Sequence, residues 1–235
     1  MALHISQNQV YDMDWSPLLI SVKVAFLSTV LAAVFGIGLS YVAMKLRRLR
    51  GVVDVVLTLP LVLPPTVVGF FLLMVFGKNG VLGKFLYEIG LPFIFSLRGA
   101  VAAAFVVSFP LVYRAVRSTM EQMDKQMVDA ARTLGISESK ILFHVILPNC
   151  RSGILAGIIL AFARGMGEFG ATMMVAGNIP QKTQTMALAV YTAVQSGNRQ
   201  QAYFWSVCIV LLSVVAMTVI LLLERKTKIR EEDGF

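Results

Sequence analysis

Residues 129–148, DAARTLGISESKILFHVILP, are the stretch on which the fold turns, because they are polar and charged inside an otherwise very apolar chain. Met123, Met127, Ala130 or Ala131, and Leu134 recur at helical spacing and form one apolar stripe. Gly135 can adopt the left-handed conformation that ends such a helix. Ser137 then stands where a second helix would be capped, with Glu138 beside the positive end of its dipole. Ile141, Leu142 and Val145 carry an apolar face on to Pro148. The pattern predicts a helix–glycine–helix hairpin with small alanines on its contact face, suited to a groove in another protein. On spacing alone an ordinary connector fits equally well.

The rest of the chain supplies the context. It is 57% hydrophobic and 14% charged, with mean hydropathy +0.76, which excludes a soluble domain and indicates a membrane protein. The expectation is an all-α membrane protein forming one domain over 1–235, with about five transmembrane helices near 17–44, 52–76, 97–113, 153–177 and 204–223. Segment 114–151 is then an extramembrane loop. The net charge of +8 raises the possibility of nucleic acid, but its distribution speaks for topology instead. If five spans alternate, fourteen basic residues in 45–50, 114–151 and 225–230 share one side, against Lys78, Lys84, Arg98, Lys182 and Arg199 on the other. That bias puts the hairpin and the C-terminus in the cytoplasm and the N-terminus outside. Residues 1–16 lack a basic n-region and carry Asp12 and Asp14, so they do not read as a cleavable signal. In 178–203 only Met186–Val194 is apolar, too short to span, and is expected to form an external or re-entrant helix.

Two features within the spans are chemically unusual. PLVLPP at 60–65 places Pro60, Pro64 and Pro65 where a regular helix interior is not expected, and broken backbone at that depth requires burial or a watery cavity. A packing kink and a bend lining a substrate path both account for it. In ARGMGEFGATM, Arg164 and Glu168 are one turn apart, so each can neutralise the other inside the hydrocarbon; Lys23 is the other cation available to Glu168. A structural ion pair is the plainer reading. Gly153-xxx-Gly157 allows close helix approach, and a dimer contact is one use for it.

No catalytic set emerges. His4 and His144 are far apart, and neither has a cysteine or acid at ligand spacing, so no metal site is expected. Cys150 and Cys208 read as core filler. GKNGVLGKF at 77–85 fails the phosphate-loop spacing, so the chain is not expected to hydrolyse ATP itself, and no cofactor is expected.

The 129–148 stretch also resembles the EAA motif of importer permeases of the ATP-binding-cassette class. That motif is an acid, Ala-Ala, three residues, Gly, nine residues, an aliphatic, one residue and Leu-Pro. Asp129, Ala130, Ala131, Gly135, Val145, Leu147 and Pro148 fill those places, with Asp129 where Glu is usual and Val145 where Ile is usual. With LPLVLPPTVVG at 59–69, SFPLVYRAVR at 108–117 and LAFARGMGEFGATMMVAGNIP at 160–180, the chain looks like the oxyanion permeases, closer to the molybdate than to the sulfate/thiosulfate branch. The resemblance implies a type I importer fold in a bacterial inner membrane and a second permease copy forming a homodimer. It also implies a cytoplasmic ATPase subunit docked at the hairpin and an extracytoplasmic binding protein delivering molybdate or tungstate. Transport would proceed by alternating access driven by that ATPase. The competing expectations are a sulfate or other small-solute permease and, in a different class, a self-sufficient channel or ion-coupled carrier. Helix N-termini and the hydroxyls of Thr66, Thr172 and Thr183 are the groups that would hold an oxyanion in passage.

Overall fold

The computed structural model describes residues 14–46 and 48–232; His4, Asp12 and Arg47 lie outside the described residues. The regular structure among those residues is all helix, with no strand. Three helices are individually long and apolar enough to cross a membrane: α1 (Ser16–Lys45), α5 (Leu97–Gln122) and α12 (Arg199–Glu232, apolar over Arg199–Val219). α2 (Arg50–Val62) and α3 (Pro65–Phe76) form a pair bent by 111°. After α4 (Gly83–Glu88) and α5 comes the hairpin. It consists of α6 (Lys125–Thr133), α7 (Glu138–Ile141), a π-helical turn (Leu142–Ile146) and α8 (Leu147–Asn149). α9 (Arg151–Met166) leaves the hairpin at a bend of 74°, and α10 (Gly170–Ala176) follows. The order ends with α11 (Met186–Gln195) and α12.

The core is α1, α5 and α9, each packed against the other two. In lipid, helices gain little from the hydrophobic effect against one another, so close packing must hold them. Small residues provide it. A Cβ on Gly36 would fall 2.8 Å from Val112 Cγ1, and one on Gly157 2.9 Å from Val112 Cα. One on Gly153 would strike Thr119 at 2.5 Å. The Gly153/Gly157 pair therefore serves contact within the chain, between α9 and α5. Two buried hydroxyls of α1 find carbonyls: Thr29 Oγ1 donates to Ala25 O at 2.6 Å within the helix, and Ser40 Oγ reaches both Gly36 O (2.7 Å) and, across to α5, Tyr113 O (3.0 Å).

Two expectations change. α5 runs past Tyr113 to Gln122, because Arg117, the one strong charge buried on that stretch, finds carboxylates at Asp54 and Glu121. Pro60 lies inside α2, near its end, and does not break it. The break comes at Leu63 and Pro64, each followed by a proline and each driven extended (ψ 140° and 135°), after which Pro65 occupies the first turn of α3, where its missing N–H costs nothing. At one end of the bundle Trp15 meets Phe204 and Trp205 with ring centroids 5.8 and 6.4 Å apart, so α1 and α12 begin on the same side.

Candidate functional site

The hairpin is built as a rigid unit. Asp124 caps α6, its Oδ1 accepting from Gln126 N at 2.9 Å. Gly135 has φ +72°, and the exit from α6 is closed by Gly135 N–H to Arg132 O (2.9 Å) and Ile136 N–H to Ala131 O (3.1 Å), the Schellman pair. Ser137 stands at the next N-cap with extended backbone, but its side chain makes no capping hydrogen bond. Glu138 is held instead from three directions. Arg132 Nε (2.8 Å), Tyr41 OH (2.7 Å) and Lys45 Nζ (3.2 Å) all reach its carboxylate, fastening the hairpin to the end of α1. Those donors, Arg132 first, then Tyr41 and Lys45, hold the Glu138 pKa down at about 2. Asp129 is exposed and pairs with Arg132 at 3.1 Å. Pro148 can offer no N–H to His144 O, and the wide π turn directly before it absorbs the mismatch, Leu147 N–H bonding to Leu142 O.

The predicted apolar stripe divides. Val128 and Ala131 turn inward and join Ile141, Ile146, Val116 and Met120 in one core cluster, so Ala131 is spent on the protein's own interior. Met127, Ala130 and Leu134 face out, Leu134 at 79% exposure, and Phe143 of the π-helical turn is 63% exposed. Val145 and Leu147 are half-buried and Pro148 exposed. Sequence spacing could not divide the stripe, since i+3 and i+4 neighbours look alike until α7 and the π-helical turn claim one side.

The second region lies where the two broken segments meet. α3 and α10 pack at backbone contact: a Cβ on Gly69 would come 2.8 Å from Ala171 Cα, and one on Gly170 3.2 Å from Pro65 Cβ and Thr66 N. The PLVLPP and GEFGAT stretches, far apart in sequence, thus form one junction. Glu168 stands at its edge, 2% exposed. Its Oε2 lies 2.7 Å from Arg164 Nη1, and its Oε1 accepts from Ala171 N at 2.7 Å. The residue that pairs with the cation therefore also ties down the start of α10. Lys23 is exposed on α1, and no ion pair joins it to Glu168 among the described residues. Pro64 and Thr66 are exposed, while Pro60 and Pro65 are half-buried. Of the three hydroxyls, Thr183 is consumed locally, accepting from Ile179 N at 3.1 Å and donating to Gly177 O at 3.4 Å. Thr172 Oγ1 is fully buried beside the junction without a hydrogen-bond partner. α11 lies against α1, with Met186 N–H donating to Ser21 Oγ at 2.8 Å, and is too short to span. No group of three or more metal-ligating side chains occurs among the described residues.

Comparison with known proteins places this architecture. The model of the family "binding-protein-dependent transport system inner membrane component" matches residues 28–229. The molybdenum transport system permease protein ModB of Escherichia coli (strain K12) is 44% identical over 187 residues, 79% of this chain and 82% of that protein. A Bacillus subtilis (strain 168) protein described as a putative molybdenum transport system permease, YvgM, is 45% identical over 160 residues, 68% of this chain and 70% of its own length. The sulfate transport system permease protein CysW of Synechocystis is 35% identical over 213 residues, 90% of this chain and 77% of that protein. Among solved structures, a chain of the MetNI methionine ABC transporter superposes with a TM-score of 0.71 at 14% identity, covering 89% of this chain and 94% of that one, a likeness of fold. The broken helices and the exposed hairpin are thus the parts of a multi-pass inner-membrane permease, and the chain belongs to the binding-protein-dependent transport system inner membrane components.

Proposed function

We propose that this chain is the membrane-spanning subunit of an ATP-driven importer for molybdate or its near-isostere tungstate. The observation that carries the reading is the identity to permeases named for molybdenum transport, higher than that to the sulfate permease. A permease of this family works with an ATPase and a binding protein. Here the ATPase docks on the cytoplasmic hairpin, and two copies of the chain assemble around the path. The N-terminus lies outside and the C-terminus in the cytoplasm, in keeping with the basic bias of 45–50, 114–151 and 225–230.

The geometry supports a division of labour. Met127, Ala130, Leu134 and Phe143 form the apolar face offered to the ATPase. Asp129, Gly135, Val145, Leu147 and Pro148 hold that face in shape, and Ala131 anchors it from within. Nucleotide-driven movement of the hairpin passes into α5 and α9, which are continuous with it at Met123 and Cys150. At the other end, the α3–α10 junction with Pro64, Pro65, Glu168 and Arg164 is the region that opens toward the anion. Glu168 is neutralised by Arg164, which keeps a bare carboxylate from repelling the cargo. Hydrolysis belongs to the partner subunit.

The test is reconstitution with the cognate ATPase and binding protein in vesicles. Molybdate-loaded binding protein is expected to stimulate ATPase activity and uptake more than sulfate does. A preference for sulfate transfers the chain to the sulfate branch. Uptake by the isolated chain without ATP removes the importer reading altogether.

A further inference from the structure

α2 is an unusual helix. None of its residues is buried, and Val52, Val55, Val56 and Val62 are all more than half exposed. It is cut off from α3 by the 111° bend, so its attachment to the bundle lies along α5. Val53 and Leu57 supply a partly buried apolar contact to the core there. The rest of the attachment is ionic, at the cytoplasmic end. Asp54 accepts from Tyr113 OH and from Arg117 Nη2, the latter at 3.3 Å. Arg50 pairs with Glu121 and stands 4.0 Å from Asp54, and Arg117 Nε lies 3.2 Å from Glu121. Two cations and two carboxylates thus form a closed, net-neutral ring between α2 and the last turns of α5. α5 then ends at Gln122, beside the Asp124 cap that opens the hairpin.

We propose that this cluster is a releasable latch, and that Arg50, Asp54, Arg117 and Glu121 are positioning residues for transport that let α5 hold and then free α2. Three observations converge on it. Arg50, Asp54 and Glu121 are a third to a half exposed, so the pairs that Arg50 makes with Asp54 and Glu121 are weak and easily broken in contact with water. Arg117 is almost wholly buried, and its Nη1 has no hydrogen-bond partner, so this arrangement leaves one donor free for a different set of acceptors. And α2 sits between two mechanical boundaries, the proline break at one end and the latch at the other, so once the latch opens only the partly buried contact of Val53 and Leu57 opposes a swing about Leu63–Pro64. Release of the latch as the hairpin moves would carry α2 away from α5 and shift the α3–α10 junction through the break. The proposal rests on the importer reading above.

The experiment uses the complete transporter in vesicles, with Cys208 changed to Ala and buried Cys150 left in place. Gly51→Cys and Gln122→Cys, exposed chain neighbours of Arg50 and Glu121 that leave the four latch residues intact, are introduced together and joined by a flexible, reducible bis-methanethiosulfonate, cross-linking being verified by mass. The expected result is that cross-linking lowers binding-protein-driven uptake by about tenfold or more, and that reduction of the linker restores it, because a conformational step has been held and then freed. Uptake before linking and after reduction shows that the double variant folds and assembles. Asp54→Asn should leave ATP hydrolysis running while abolishing its stimulation by the loaded binding protein. Uptake that continues unchanged with the linker closed would mean that α2 never leaves α5, and the cluster would be only a brace. The assay uses whichever oxyanion the unmodified transporter imports, so a wrong substrate is read from that control. Failure of the control to import any oxyanion removes the importer reading and the latch together.

Discussion

Arg164 and Glu168 show how much a single pair is asked to do. Glu168 is buried, whereas the Arg164 side chain keeps 32% exposure, so the two are not equivalent. Arg164→Leu strands a buried carboxylate and is expected to cost about 3–5 kcal/mol, seen as loss of folded protein in detergent thermal melts. Glu168→Gln keeps an oxygen for Ala171 N–H and leaves a side-chain amide that can still accept from Arg164, so it should cost clearly less. Equal losses from the two would contradict this asymmetry. Glu138 offers a pH test of the hairpin. Its folded pKa of about 2 lies below the ordinary carboxylate value, so the folded form binds fewer protons. The stabilisation from Arg132, Tyr41 and Lys45 is therefore complete above about pH 4.5 and disappears as pH falls toward 2. Protection of the 125–149 amides, taken relative to their intrinsic exchange rate at each pH, should fall over that interval, and Glu138→Gln should flatten the dependence.

At the scale of elements, the hairpin depends on one backbone angle. Nothing lies within 4 Å of a Cβ built on Gly135, so a side chain there meets no steric barrier within the chain; the obstacle is φ +72°. Gly135→Val should lose about 1–2 kcal/mol of local stability, release the ATPase and stop uptake, whereas Gly135→Asn, which tolerates that region, should keep most of both. Co-purification of the ATPase with each variant decides it. The helix contacts allow a second comparison. Gly69→Ala places a methyl 2.8 Å from Ala171 Cα and should destabilise by about 1–3 kcal/mol through overpacking of the α3–α10 junction. Gly38→Ala, with open space around it, should be neutral or slightly stabilising. Thermal unfolding of the two proteins in one detergent is the measurement. A Gly69→Ala protein as stable as the parent would mean that the junction gives way easily, and its claim to be a fixed part of the path would fail.

For the whole molecule the first question is which way it faces. Cysteine at Asn79 should react with an impermeant reagent added outside cells, and cysteine at Ser137 should react only after the membrane is opened. Reverse labelling would place the hairpin outside and detach the ATPase. The structure arranges the ends consistently: α1 and α12 start together at the aromatic cluster, and the far end of α1 meets the hairpin through Lys45 and Glu138. Much of this was legible in the residues. Apolar length fixed the long helices, Gly135 fixed the turn, and i, i+4 spacing paired Arg164 with Glu168, because each follows from the local geometry of one helix or one turn. Chain-distant contacts decided the rest. Ala131 rather than Ala130 turned inward because the second half of the hairpin, with Ile141 and Ile146, packs on that side of α6. Pro60 stayed helical while the break fell at Leu63–Pro64, because two successive residues there precede proline. Arg117 extended α5 because Asp54, on another helix, met its charge. Above all, the meeting of PLVLPP with GEFGAT depends on the packing of Gly69 against Ala171, which brings two backbones to the same point, and no periodicity along the chain encodes which pair of broken segments will touch.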